Sequence, residues 1–232
     1  MSQRAVLPTT PPVAKRPVGT AAEAFADLEA HAALVNLSEF LPDSEKFAHL
    51  VRVLVDHAAR TNLIGDPTPH GVADHVLEAM CLAQCARLAL QKVPLRIVDV
   101  GAGAGLEAWT LAAIWPEAQV IAVEPRGLRH AFVSTLVAET GLNNMEVLGK
   151  SLHAAELPAN FDLATARAVW PPAEWLAKAR LLLATGGVVG VHGSGAAPVF
   201  AKFLRGLGWD VPAARDVPGE RGHAVAVAAP RL

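Results

Sequence analysis

Tyrosine is absent from the 232-residue sequence, and aromatic residues reach only 5%. A platform of exposed rings that stacks single-stranded bases is therefore not expected. The core has to be built from Ala, Val and Leu. Cysteine is nearly absent, with only Cys81 and Cys85. Their four-residue spacing puts both on one face of a helix, which is no disulfide framework. Two thiols without a matching pair of His or Cys do not close a tetrahedral zinc site either, so core packing is expected and metal is not. No apolar run reaches the ~18 residues of a membrane span, and no secretory segment opens the chain. The expectation is a cytoplasmic protein without a membrane partner. Cations are also thin. Three of the twenty Lys and Arg residues (Arg4, Lys15 and Arg16) fall within residues 1–20, against none of the twenty-two acids. The body is therefore acidic and lacks the basic stripe usual for a rigid nucleic-acid binder.

Apolar side chains are plentiful. Hydrophobic residues make up 52% of the chain and charged residues 18%, enough burial to offset chain entropy. The length fits one α/β domain with an N-terminal extension. Residues 1–19 hold Pro8, Pro11, Pro12, Pro17 and Gly19 and read as a flexible tail. Helical periodicity marks Thr20 to Val35, then a stretch after Pro42 capped by Asp43 or Ser44, then Val72 to Leu90 after a Gly/Pro-rich loop. The rhythm changes beyond residue 91. Leu95 to Val100 is a short apolar run ended by glycines, as in a buried parallel strand. Strands are then expected at Gln119–Glu124, Met145–Leu148, Phe161–Ala166, Gly187–His192, Trp209–Ala214 and His223–Ala229. Helices are expected at Leu106–Ile114, Leu128–Thr140, Pro172–Ala184 and Pro198–Leu207. Such alternation predicts a mostly parallel sheet with helices on both faces. The division expected is a tail over 1–19, an N-terminal helical region over 20–91 and a Rossmann-like domain over 92–232.

One loop carries chemistry. Asp99 ends the first strand, Gly101, Gly103 and Gly105 follow, and a helix opens at Leu106. A glycine cluster after a strand is either a tight turn with no ligand or a close backbone approach to a nucleotide. Glu124 ends the next strand, 19 residues after Gly105. A carboxylate there accepts hydrogen bonds from both hydroxyls of a ribose. The dinucleotide pattern Gly-x-Gly-x-x-Gly needs its third glycine where Leu106 stands, and leucine is too large. Gly-x-Gly-x-Gly with the two acids resembles motif I of Rossmann-like, class I methyltransferases. S-adenosylmethionine is thus the expected cofactor.

Features spread along the chain extend this likeness. They are Asn62-Leu63 before a turn, Asp74-His75-Val76-Leu77-Glu78, the loop 101–105, Ala166-Arg167-Ala168-Val169, and Arg221-Gly222-His223 before the last strand. Together, from about Leu41 to Ala229, they resemble the RsmG (GidB) family, which methylates N7 of a guanine in bacterial small-subunit ribosomal RNA. The resemblance implies roles. Gly101 and Leu106 would line the amino-acid end of the cofactor, Glu124 its ribose, and Ser151 and Leu152 its adenine. Arg167 would face both cofactor and substrate as the catalytic residue. His75, Arg129, His192 and His223 would meet the substrate, and the partner would be ribosomal RNA or the small ribosomal subunit. The chain departs from the family at Leu106-Glu107-Ala108, where the family has Phe-Pro-Gly. It departs also at Leu128, Glu78-Ala79 and His192-Gly193, and most changes remove cations or polar groups from the expected RNA face.

Guanine N7 offers a lone pair and carries no proton, so its methylation needs alignment at about 3–3.5 Å and exclusion of water rather than a general base. A sequence without a catalytic dyad suits that reaction. Bland readings stand beside these. Arg167 fits a structural ion pair, His75 a packing histidine, and Trp170 a cover on the sheet as well as a wall of the base pocket. Ordinary imidazoles titrate near pH ~6.5 and add little positive charge at neutrality. Two other functions remain open: a methyltransferase of the same lineage acting on another substrate, and a non-catalytic cofactor-binding or scaffold protein.

Overall fold

A computed structural model describes residues 19–58, 63–219 and 222–231. The basic tail with Arg4, Lys15 and Arg16, as well as Asn62 and Arg221, lies outside them. Three helices come first: α1 (Ala21–Leu34), α2 (Ser44–Ala58) and α3 (Pro69–Leu90). Each starts on a side-chain cap. Thr20 and Glu23 form a reciprocal capping box, Asp43 Oδ1 accepts from the amides of Glu45 and Lys46, and Thr68 accepts from Gly71. The third helix therefore begins at Pro69 and not at Val72, because proline suits the first helical turn, where no amide donor is needed.

Seven strands follow: β1 (Arg96–Val100), β2 (Gln119–Val123), β3 (Met145–Leu148), β4 (Phe161–Thr165), β5 (Leu183–Ser194), β6 (Trp209–Asp216) and β7 (His223–Pro230). The helices between them are α4 (Leu106–Ile114), α5 (Gly127–Thr140), α6 (Pro172–Ala179) and α7 (Ala197–Gly206). The sheet order is β3-β2-β1-β4-β5-β7-β6, with β7 antiparallel to both β5 and β6 and the other pairs parallel. This is the Rossmann-like class I methyltransferase fold. The order reverses between β1 and β4, and ligands of open α/β sheets sit at the carboxyl ends of strands at such a point.

Alternation along the strands feeds two cores. Ile97, Leu163 and Val188 pack on one face with α1 to α5, while Val98, Ala164 and Val189 pack on the other with α6 and α7. The N-terminal helices thus share a core with the sheet. One expected boundary moves. The helix predicted over Pro172–Ala184 stops at Ala179, and Leu183 already belongs to β5. Gly186 (φ +79°) and Gly187 do not end a helix. They lie where the register between β4 and β5 shifts, and a Cβ on Gly187 would stand 2.5 Å from the Phe161 carbonyl. Backbone pairing at this bulge overrides the local helical pattern.

Candidate functional site

At the reversal point the chain turns sharply. Gly101, Gly103 and Gly105 all have positive φ (+74°, +62° and +74°), a region L side chains rarely adopt. Their surroundings differ. A Cβ on Gly101 would strike Val169 and one on Gly105 would strike Val133, whereas a Cβ on Gly103 meets nothing nearer than 3.8 Å. Gly101 and Gly105 are packing positions, whereas a Cβ on Gly103 would make only ordinary contacts, with Arg129 and the Gly101 carbonyl. Four of the loop amides are already engaged. Gly101 and Ala102 donate to the Val123 carbonyl, Gly105 donates to Ala102, and Gly103 donates to Glu124 Oε2 at 2.8 Å. Glu124 Oε1 accepts from the Arg126 amide at 2.9 Å. The two backbone bonds fix this buried carboxylate at the end of β2 and leave part of its acceptor capacity for a ligand.

The loop borders a cavity of about 390 Å³, within the roughly 300–1,000 Å³ usual for small-molecule sites. Its walls include Asp99, Gly101, Gly103, Glu107, Glu124 and Arg167, with Leu63 to Gly65, His75, Arg126, Arg129 and Val169 around them. Three carboxyls in the wall are almost wholly buried: Asp99 is 2% exposed, Glu124 3% and Glu107 5%. Ala168, also in the wall, has φ +55°, a left-handed conformation costly for a residue with a Cβ. The chain bends there from the end of β4, which directs Arg167 and Val169 to the cavity.

Behind the wall lies a buried ionic cluster. His192 on β5 donates from Nδ1 to Glu78 Oε1 at 2.9 Å, and its Nε2 stands 2.7 Å from Glu107 Oε2. The second contact is an ion pair rather than a well-aligned hydrogen bond. Glu78 Oε2 also accepts from Arg167 Nη1 at 2.9 Å, and Arg167 donates to His75 Nδ1, which is thereby the unprotonated ring nitrogen. Thr165 donates to Glu107. The cluster joins α3, α4, β4 and β5. Burial opposes charge on His192, but Glu107 and Glu78 outweigh it and push its pKa up to about 10. Burial likewise opposes charge on Glu78, yet His192, His75 and Arg167 hold it well below the usual carboxylate range. Glu107 ends below its ordinary value because His192 outweighs burial. Asp99 moves the other way. Burial and then repulsion from Glu107 push it well above the ordinary range.

Of the residues singled out in the sequence, Asp99, Gly101, Gly103, Glu124, Arg167, His75 and Arg129 meet at the cavity. Gly105 and Leu106 lie beneath it, Leu106 buried at the start of α4. Ser151 and Leu152 follow β3 outside the lining, and Leu152 packs against the second core. His192 does not reach the cavity surface, being locked between two glutamates and charged, contrary to an ordinary imidazole. His223 pairs in register with Ser194 at the far side of β5. Trp170 stacks on Trp175 at 5.8 Å over the sheet and is not a cavity wall. Sequence reasoning missed Glu78 and Glu107 as a pair. Their signal was present: two acids on helices whose neighbours are apolar, each at a position where the chain departs from the family pattern.

The description rRNA small subunit methyltransferase G, GidB, matches residues 43–195. The chain belongs to this family. Among relatives, the ribosomal RNA small subunit methyltransferase G of Acidothermus cellulolyticus is 37% identical over 109 residues, 47% of this chain and 48% of that protein. The protein of the same description from Leifsonia xyli subsp. xyli is 31% identical over 144 residues, 62% of this chain and 65% of its own length. Matches to curated relatives of this description span between 36% and 65% of their length, and mostly less than half. Among solved structures, M. jannaschii TYW2 in complex with AdoMet superposes with a TM-score of 0.54 at 18% identity, covering 74% of this chain and 78% of that one. That likeness concerns the fold alone. Among the described residues, no group of three His, Cys, Asp or Glu is placed to hold a metal, and no helix is long and apolar enough to cross a membrane.

Proposed function

We propose that the cavity binds S-adenosylmethionine and that the protein methylates guanine N7 in small-subunit ribosomal RNA, in the bacterial cytoplasm. The observation that carries the cofactor is the donor set. Buried carboxyls line the cavity near both the amino-acid and the ribose ends, and the amides of Gly101, Ala102, Gly103 and Gly105 are consumed within the loop. A pyrophosphate needs free amides and repels carboxylates, so a dinucleotide fits poorly. An ammonium group and ribose hydroxyls are donors and suit acceptors. Gly103 lies in the wall of this cradle.

Glu124 would hold the ribose, and Asp99 with Gly101 the amino-acid end. When bound, the cofactor supplies an electrophilic methyl group. Arg167 stands at the rim with its Nη1 held by Glu78 and His75, leaving other guanidinium donors for guanine O6 or a phosphate. Arg126 and Arg129 extend the positive edge. Ser151 and Leu152 remain the positions nearest the adenine by family analogy. The nucleophile carries no proton, and alignment with exclusion of water is the work left to the protein. The substrate assignment rests on family membership, and small subunits from a strain lacking the ribosomal N7 methyl group test it. Transfer of labelled methyl to one guanine is expected. Binding of the cofactor without transfer to subunits or naked RNA would leave the lineage with another substrate.

A further inference from the structure

Charge does not balance in the buried cluster if every acid is ionised. Glu78, Glu107 and Asp99 are three carboxyls, while His192 and Arg167 are two cations. His75 accepts from Arg167 and its Nδ1 also stands 3.9 Å from Glu78 Oε2. The remaining charged groups of the cavity are spent or distant in role: Glu124 binds two backbone amides at the end of β2, and Arg126 and Arg129 stand at the rim beside α5. Geometry singles out Asp99 as the acid of this cluster without an ion-pair partner, the Ala108 amide being its hydrogen-bond donor. Asp99 and Thr165 are register partners on adjacent parallel strands, so their side chains share one face. The Thr165 hydroxyl reaches Glu107, which places the two carboxyls on the same patch of wall. Glu107 is taken by His192 and Thr165, and Glu78 by His192 and Arg167. Asp99 opens onto the cavity instead.

We infer that Asp99 is a protonated carboxylic acid in the free protein, kept so by its burial and by the neighbouring Glu107, and that docking of the ligand's ammonium group beside it expels that proton to solvent. The inference rests on the reading of the cavity as the S-adenosylmethionine site. The balance is simple. The O–H bond of Asp99 breaks, its proton goes to the buffer, and the ammonium donates a hydrogen bond to the carboxylate left behind. Burial and the neighbouring Glu107 favour the neutral acid in the free state. The incoming cation removes that preference. Binding therefore tightens as pH rises, by about tenfold per pH unit while Asp99 starts protonated, and levels off once it starts ionised.

Titration calorimetry in buffers of different ionisation enthalpy, near neutral pH, counts the protons. With S-adenosylmethionine the wild-type chain should release about one proton per ligand bound. S-adenosylhomocysteine, which keeps the ammonium and lacks the sulfonium charge, should release the same number. Glu107→Gln removes the repulsion but not the burial, so the release should fall below the wild-type number. Asp99→Asn has no proton to give and should release none, which keeps the test open if the Glu107 variant does not fold. Wild-type binding with heats independent of buffer would overturn the inference and leave the cofactor reading standing. Release with the sulfonium ligand alone, or undiminished in both variants, would also overturn it. No binding to wild type would overturn the cofactor reading itself.

Discussion

His192 sits between the carboxylates of Glu78 and Glu107, and this placement fixes the pH behaviour of the cluster. Its ordinary value of 6.5 rises to about 10 on folding. The stabilisation is fully present below the unfolded value and is lost as pH rises through about 10. Glu78 has the opposite sign. Its value falls on folding from 4.5, so its contribution is present above that and lost as pH falls. Urea midpoints should therefore decline on both sides, with the His192 share of the alkaline decline running from about pH 6.5 towards 10 and buried Asp99 adding to the fall above its ordinary 3.8. His192→Gln should flatten the alkaline limb and cost roughly 3–5 kcal/mol, because it strands a buried carboxylate. An alkaline limb unchanged in that variant would show that His192 is not the charged partner. None of this was legible in the residue itself. The sequence shows one histidine near the end of an apolar strand, and only the packing of α3 and α4 brings two acids to it.

The elements were read well where a local rule governs them. Helical spacing marks α1, Asp43 announces α2, Gly141 (φ +66°) ends α5, and the apolar run at β1 marks a strand covered on both faces. They were misread where tertiary pairing wins, as at Gly186-Gly187 and the start of β5. The turn after β4 is a further case, since nothing in Ala166-Arg167-Ala168-Val169 signals a left-handed residue. Ala168→Gly should leave stability unchanged or raise it by up to about 1 kcal/mol, since glycine tolerates φ +55°. Ala168→Val should lower the melting temperature, and a rise would contradict the strained backbone. Trp109 on α4 is completely buried and donates to Thr140 Oγ1 on α5. Trp109→Ala should cost about 3–5 kcal/mol in chemical denaturation. A loss under about 1 kcal/mol would mean that α4 is not anchored to α5 in this way.

At the scale of the molecule, the helices before the sheet and the sheet itself are one body. Residues of α1, α2 and α3 share a core with β1, β2, α4 and α5, and α3 also supplies Glu78 and His75 to the site. Calorimetric melting should show a single transition for the helical region and the sheet. Two resolved transitions would contradict the shared core. The fold was legible because alternation of short apolar runs with helical periods dictates a covered parallel sheet, and the glycine loop marks its switch point. The glycine-loop side of the cavity was legible for the same reason. The ionic half was not, because Glu78, Glu107, Arg167 and His192 come from four elements far apart in sequence. The central claim is that the cavity over Gly101 to Gly105 holds S-adenosylmethionine. Its most direct test is calorimetric titration of that ligand into the wild-type chain and into Gly103→Asp, which would place an acidic side chain in the wall of the cavity. One ligand bound per wild-type chain and none by the variant is the predicted result. Equal affinity in both, or no binding to either, would contradict it.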